Sequence, residues 1–199
     1  HRSNNSFRSN NNSPTIRLKI SNDHWNDETV IRFKQLANTG YDKEYDALKM
    51  ISGHKHVPQL FTRHDGQSYS INTQPEHFES KCIPLGINSG IDEKQKIEMT
   101  QFDHFDIPVK ILLEDTYKQA ITDLQSNSYT YHTKPGNFPD RFLVHILPQQ
   151  SIENDNTSIE SNGQDNIYIY SKSKNLYINS EMATSLDLID ISGKTVMNR

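Results

Sequence analysis

The sequence predicts an all-β protein: an antiparallel β-sandwich or jelly-roll domain over residues 15–148, followed by a smaller β domain over residues 166–199. Three observations carry that prediction. Apolar and polar residues alternate with period two in short segments along the chain. Pro and Gly punctuate these segments, at Pro58, Pro75, Pro84, Gly86, Gly90, Pro108, Pro135, Gly136, Pro139 and Pro148. The composition is polar without being strongly charged: 33% apolar residues and a net charge of −4, with a mean hydropathy of −0.81. Asn, Ser, Thr and Gln supply the excess, which suits a secreted β-rich module better than an acidic disordered tail.

Taken in order, residues 1–14 are nearly all polar apart from Phe7 and read as a flexible arm, because they cannot bury enough surface to offset chain entropy. Thr15–Ile20 is the first clean strand, with Ile16, Leu18 and Ile20 on one face and Arg17 and Lys19 on the other. Residues 42–51 place Tyr45, Leu48 and Ile51 at helical spacing, so one short helix is allowed there beside the alternative of an irregular loop. Asp65-Gly66 between Leu60–Thr62 and Tyr69–Ile71 signals a two-residue hairpin turn. Further alternating runs centre on Ile97 and Met99, on Val109, Ile111 and Leu113, on Tyr129 and Tyr131, and on Phe142, Val144 and Ile146. Residues 149–165 hold only Ile152 and Ile159 as apolar residues and read as a linker. Beyond it, Asn166–Tyr170 and Leu176–Asn179 form a hairpin pattern, and Leu186–Ile191 is a third strand closed by Ser192-Gly193-Lys194. Residues 166–199 are too few for a stable isolated sandwich. That domain is expected either to be cut short here or to pack on the first domain or a partner chain.

Several function classes are excluded or disfavoured by the same arithmetic. No run approaches 18 apolar residues, so no membrane-spanning helix is expected. The pI of about 6.1 and the lack of a dense basic patch leave nucleic acid without its electrostatic footprint. One cysteine permits no disulfide framework within the chain. No signal peptide opens the sequence, and His1 with the polar stretch after it reads as the middle of a longer protein.

Candidate chemistry is sparse. His54-Lys55-His56 would point both rings to one side of a strand, but no third ligand is specified, and a solvated loop is the simpler reading. Asp103-His104-Phe105-Asp106 offers two carboxylates without the pattern of a calcium hand. Asp42, Glu44 and Asp46 carry oxygens at alternate positions and are the weak calcium candidates, the alternative being a polar turn bonded to backbone amides. No other cofactor is expected. Cys82 lies among apolar neighbours and reads as a small buried hydrophobe. Glu114 and Asp115, adjacent on a strand, point to opposite faces and are poor acid–base partners. Trp25, Tyr129, Tyr131, Tyr168, Tyr170 and Tyr177 could form a sugar-stacking platform, although tyrosines also suit half-buried strand positions. Arg32 and Arg141 each precede a Phe in a strand; an inward Arg needs a carboxylate, which Asp46, Asp42 or Asp115 would supply as structural ion pairs. No nucleophile motif, zinc motif or phosphate-binding Gly loop appears, so the expectation is a protein that is not an enzyme.

Longer blocks go further. Asp27–Phe33, Thr39–Asp42 with Tyr45–Lys49, Val57–Thr62, Ser70–Thr73, Ile83–Gly86, Leu113–Asp115, Ser128–Tyr131 and Asp140–Leu143 together resemble a β-module common in large secreted proteins of the type IX secretion system, and cover most of residues 15–147. Ile167–Tyr170, Leu176–Ile178 and Leu188–Val196 resemble the start of the C-terminal sorting domain of that system, without the family's later strands. The resemblance implies that the second domain is the first part of an Ig-like β-sandwich, with Ser192, Gly193 and Lys194 as the export-signal turn. It implies recognition by components of the type IX translocon and a location in the medium or on the outer cell surface. The function expected is then export followed by surface display or adhesion, with surface glycans or neighbouring copies as further partners. A structural subunit of an extracellular filament or surface layer, and a carbohydrate-binding module, are the alternatives.

Overall fold

The computed structural model describes residues 13–76 and 80–149 and, beyond them, strands at 167–172, 175–180, 187–189 and 195–198. The chain divides into two units, His1–Ser151 and Ile152–Arg199, and the division falls within the polar stretch 149–165.

The first unit contains β1 (Thr15–Ser21), β2 (Asn26–Lys34), β3 (Ala47–Leu48), β4 (Gln59–His64), β5 (Gln67–Pro75), β6 (Lys81–Ser89), β7 (Glu93–Asp103), β8 (Val109–Asp115), β9 (Ala120–Asp123), β10 (Tyr129–Thr133) and β11 (Gly136–Pro148). The ladder runs unbroken through one sheet in the order β10-β7-β1-β2-β5-β4-β6-β11-β8-β9, with β3 beside β5. Every pair is antiparallel except β2 with β5, which run parallel from Val30↔Ile71 to Lys34↔Pro75. The sheet curls until its two ends nearly meet. Tyr129 of β10 hydrogen-bonds Asp115 of β8 at 2.9 Å, and the Tyr131 ring lies 5.2 Å from that of Phe142 on β11.

Period-two alternation explains why the sheet curls with this face inward. Ile16, Leu18 and Ile20 of β1 share one core cluster with Ile31 and Phe33 of β2, Ile83, Leu85 and Ile87 of β6, Val109, Ile111 and Leu113 of β8, and Phe142, Val144 and Ile146 of β11. Each such side chain contributes roughly 1.5–3 kcal/mol when fully buried. The β4–β5 turn forms as expected: Asp65 (φ 46°) and Gly66 (φ 76°) both take left-handed conformations, and His64 pairs with Gln67 across them.

Two local expectations are corrected. Residues 42–51 form no helix. The Asp42 carbonyl accepts the amides of Tyr45 and Asp46 in a single turn, and the chain then joins β5 through β3, with the Lys49 amide donating to Ser68 at 2.8 Å. Sheet pairing captures the donors that a second helical turn would need. Pro84, Gly86 and Pro139 lie inside strands and not between them. Pro84 sits one residue past the last β4–β6 pair, Leu85↔Thr62, so one of its sides carries no ladder. A Cβ on Gly86 would lie 2.4 Å from the Phe61 ring and 2.6 Å from the Pro139 carbonyl, so this position needs glycine for close approach. Pro139 falls in a bulge of β11, between the pairs Phe138↔Ile87 and Phe142↔Leu85.

In the second unit, β12 (Ile167–Lys172) pairs antiparallel with β13 (Asn175–Ser180), and β14 (Asp187–Ile189) with β15 (Thr195–Asn198). Residues 1–12 of the polar arm and the Ser192-Gly193-Lys194 turn lie outside the described residues. Among the described residues no helix is long and apolar enough to cross a membrane.

Candidate functional site

A chain of polar groups, buried at Asp115, Arg141, Tyr131 and Gln95 and half-buried at Glu93 and Asn22, runs from the interior to a cavity among the loops. It begins at the end of β8. Asp115, 1% exposed, receives the Arg141 guanidinium through Nη2 at 2.8 Å and Nε at 3.3 Å. The same carboxylate accepts the Tyr129 hydroxyl at 2.9 Å and the Tyr117 amide at 3.0 Å. Arg141, 5% exposed, sits at the end of the β11 bulge with its guanidinium 4.4 Å from the Tyr131 ring centre. Tyr131 donates its hydroxyl to Gln95 Oε1 at 2.8 Å, and Gln95 Nε2 donates to Ser89 Oγ at 3.0 Å and to Glu93 Oε1 at 2.9 Å. Asn22 then donates to Glu93 Oε2 at 2.7 Å and to the His56 carbonyl at 2.8 Å, while its Oδ1 accepts the amides of His24 and Trp25.

The electrostatics keep this chain in one protonation pattern. Burial pushes the Asp115 carboxyl up, but the bonds from Arg141 and Tyr129 outweigh it and hold the group below its usual value. Burial first, and then the facing Asp115 carboxylate, push the Tyr129 hydroxyl up to about 12. Burial raises Tyr131 further. Both phenols therefore remain donors at neutral pH.

The cavity at the end of the chain has a volume of about 120 Å³ and is lined by Trp25, Asn22, His24, His56, Glu93 and Lys94, among others. Trp25 is 47% exposed, with its ring 5.2 Å from His54, which in turn lies 5.5 Å from His56. Gly90 sets the fit between loops: a Cβ there would lie 2.5 Å from the Lys55 carbonyl, so the β6–β7 turn packs directly on the His54–His56 segment. Beside the cavity, His132 meets Asp92. A second, more open concavity of about 700 Å³ is bordered by Phe102, His104, Phe105, Ile107, Lys110 and Gln125. Phe105 stacks on Phe102 at 4.5 Å and meets Phe33 edge to face at 5.7 Å. Gln125 bonds the Ile111 amide and the Val109 carbonyl, standing in for a strand where β9 stops short.

The other residues singled out from the sequence are dispersed. Asp42 and Asp46 spend their carboxylates on backbone amides: Asp42 on Glu44, and Asp46 on Asp42 and Thr73. Glu44 is exposed. Among the described residues no three His, Cys, Asp or Glu side chains converge as metal ligands. Arg141 pairs with Asp115, whereas Arg32 forms no ion pair among the described residues, and Asp46 serves the backbone instead. Glu114 and Asp115 point apart as expected, to His145 at 2.7 Å and to Arg141. Cys82 is exposed, which corrects its reading as a buried hydrophobe: alternation puts Ile83 and Leu85 inward and Cys82 out. Half-buried Tyr129 stacks on buried Tyr131 at 5.7 Å, which leaves Trp25 as the exposed member of the described part of the aromatic set, while the side chains of Tyr168, Tyr170 and Tyr177 lie outside the described residues. Sequence reasoning missed Asn22, Gln95 and Glu93. Only Asn22 carried a local signal, as the polar residue that opens the β1–β2 turn.

No curated protein and no solved structure matches the chain. Residues 1–146 match the family model described as Domain of unknown function (DUF8693). That match covers the whole run of strands from β1 into β11, and with it the network and the loop cavity just described; the chain belongs to the DUF8693 family.

Proposed function

We propose that this protein is a non-enzymatic module of a secreted or surface protein, exported by the type IX secretion system and used for display or adhesion outside the cell. One observation carries the reading: Ile152–Arg199 is a compact unit of its own, and its strands β12 to β15 fall on the segments that resemble a sorting domain. The lone cysteine and the polar composition of low net charge are compatible with an extracellular life. The finer fold expectations belong to this proposal: the curled first sheet flattens into two facing layers, and residues 166–199 begin an Ig-like sandwich that offers strands and turns to the translocon.

The test is export of the chain itself. Placed behind a cleavable leader in a type IX-competent cell, the full chain is expected to reach the surface or medium. A chain ending at Ser151 is expected to remain in the periplasm. Equal distribution of the two, or unchanged export in a translocon-deficient strain, would remove the proposal.

A further inference from the structure

We propose that the Trp25 cavity binds a single neutral pyranose ring of a glycan, by stacking on the indole and hydrogen bonding to the polar rim. The proposal concerns what the module holds, and stands whichever export route it takes.

The argument starts with the indole. The chain has one Trp, and it is placed outside the core cluster, on the β1–β2 turn, and is 47% exposed. A large exposed aromatic leaves apolar area in water unless something covers it. The residue is nevertheless held: its backbone amide donates to Asn22 Oδ1 at 2.6 Å, and the His54 ring lies 5.2 Å from the indole, centre to centre. An aromatic face of this kind suits the C–H face of a sugar ring, which is apolar while its rim is all hydroxyl.

The rim chemistry agrees. A hydroxyl both donates and accepts, so it is best met by mixed partners. Glu93 is an acceptor, Lys94 a donor, and the His24 and His56 imidazoles are each able to do either. Glu93 is pre-aimed: Asn22 holds one carboxylate oxygen at 2.7 Å and Gln95 the other at 2.9 Å, which leaves a further lone pair on each oxygen. Gln95 is fixed in turn by buried Tyr131 at 2.8 Å. The acceptor is thus positioned through the interior network before any ligand arrives, which lowers the ordering cost of binding.

Size and charge narrow the class. A volume of about 120 Å³ takes part of one ring, and a single stacking side chain suits one sugar residue, where a flat row of aromatics would suit a polymer. Asp23 and Glu93 against Lys94 leave the lining net acidic, which disfavours sialic or uronic acids.

Because Trp25 is the chain's one indole, its fluorescence reports on this site alone. The full chain is titrated with methyl glycosides of neutral hexoses and with short neutral oligosaccharides. A saturable emission change is expected, with a dissociation constant of order 1 mM, as befits so small a contact. Calorimetry on Trp25→Ala should show affinity weakened at least about tenfold, and Glu93→Gln an intermediate loss; neither should change the circular dichroism spectrum, since Trp25 is exposed and Glu93→Gln keeps the size and shape of a half-buried side chain. Met50→Ala, exposed and away from the cavity lining, should bind as the parent does. The proposal is overturned if no neutral sugar gives a saturable response, if binding survives Trp25→Ala, or if acidic sugars bind at least as well as neutral ones.

Discussion

The interior of the first unit is filled in two contrasting ways. Around Phe33, Phe102 and Phe105 the packing is aromatic and apolar, held by area and ring geometry. Around Asp115, Arg141 and Tyr131 it is polar, held by a bidentate ion pair, two phenols and an amide. Apolar packing loses stability in proportion to the atoms removed. A buried network behaves otherwise, because removing one member strands the charge of another. The polar region therefore adds little net energy over an apolar equivalent, but it dictates how the two ends of the sheet face each other. Arg141, Asp115 and Tyr129 sit on three strands, and their bonds are satisfied together in one register.

The largest effect should come from breaking the network on one side. Asp115→Ala leaves Arg141 buried without a partner and should cost about 3–5 kcal/mol in urea unfolding. Replacing both, as Asp115→Leu with Arg141→Met, should recover part of that loss, the remainder being the Tyr129 hydroxyl and Tyr117 amide left without their acceptor; a double variant as unstable as the single would show that a stranded charge is not the main cost. Next in size, Phe33→Ala on the aromatic side should cost about 3 kcal/mol, and it has no comparable rescue, since no charge is stranded.

A pH series sharpens the contrast, because the polar region titrates and the aromatic side chains do not. The Asp115 value is lowered on folding, so its contribution is in place above the ordinary carboxylate range, near 4, and is lost as pH falls below it. The Tyr129 value is raised to about 12, so its contribution is in place below about 10 and is lost as pH rises from there through 12. Through these two groups, denaturation midpoints should fall at acid pH and again at alkaline pH, and Tyr129→Phe should shrink the alkaline fall. The smallest effect belongs to the solvent-facing pair Arg17–Glu28, at 3.1 Å with both side chains more than a third exposed: Glu28→Ala should shift stability by about 0.5 kcal/mol or less.

The apolar region was largely legible in the sequence and the polar one largely was not, for physical reasons. Ile16, Leu18 and Ile20 announce their face by local alternation, and Asp65-Gly66 announces its turn by the conformations it permits. Strand β6 was hidden because Pro84 and Gly86 look like punctuation; only the proximity of Phe61 and the Pro139 carbonyl, distant in sequence, shows why glycine sits inside a strand. The short helix over 42–51 was suggested by spacing and lost to pairing with β5. Arg141 could be foreseen to need a carboxylate, and Asp115 was among those named, yet Arg32 in a similar local setting forms no such pair among the described residues. The Asn22–Glu93–Gln95–Tyr131 relay is invisible locally, since each partner is ordinary alone and they meet only when the sheet has curled.

The seam of that curled sheet has one more consequence. Its outermost strands, β9 and β10, are consecutive in the chain, joined through residues 124–128, and the Tyr129–Asp115 bond draws the margins toward each other. Bare sheet margins are where molecules stick to one another in cross-β fashion. Here the tether keeps each margin at high effective concentration near the other, so an incoming foreign strand must compete with a partner that never diffuses away. The connectivity itself thus favours closing these two margins on each other over pairing them with another molecule.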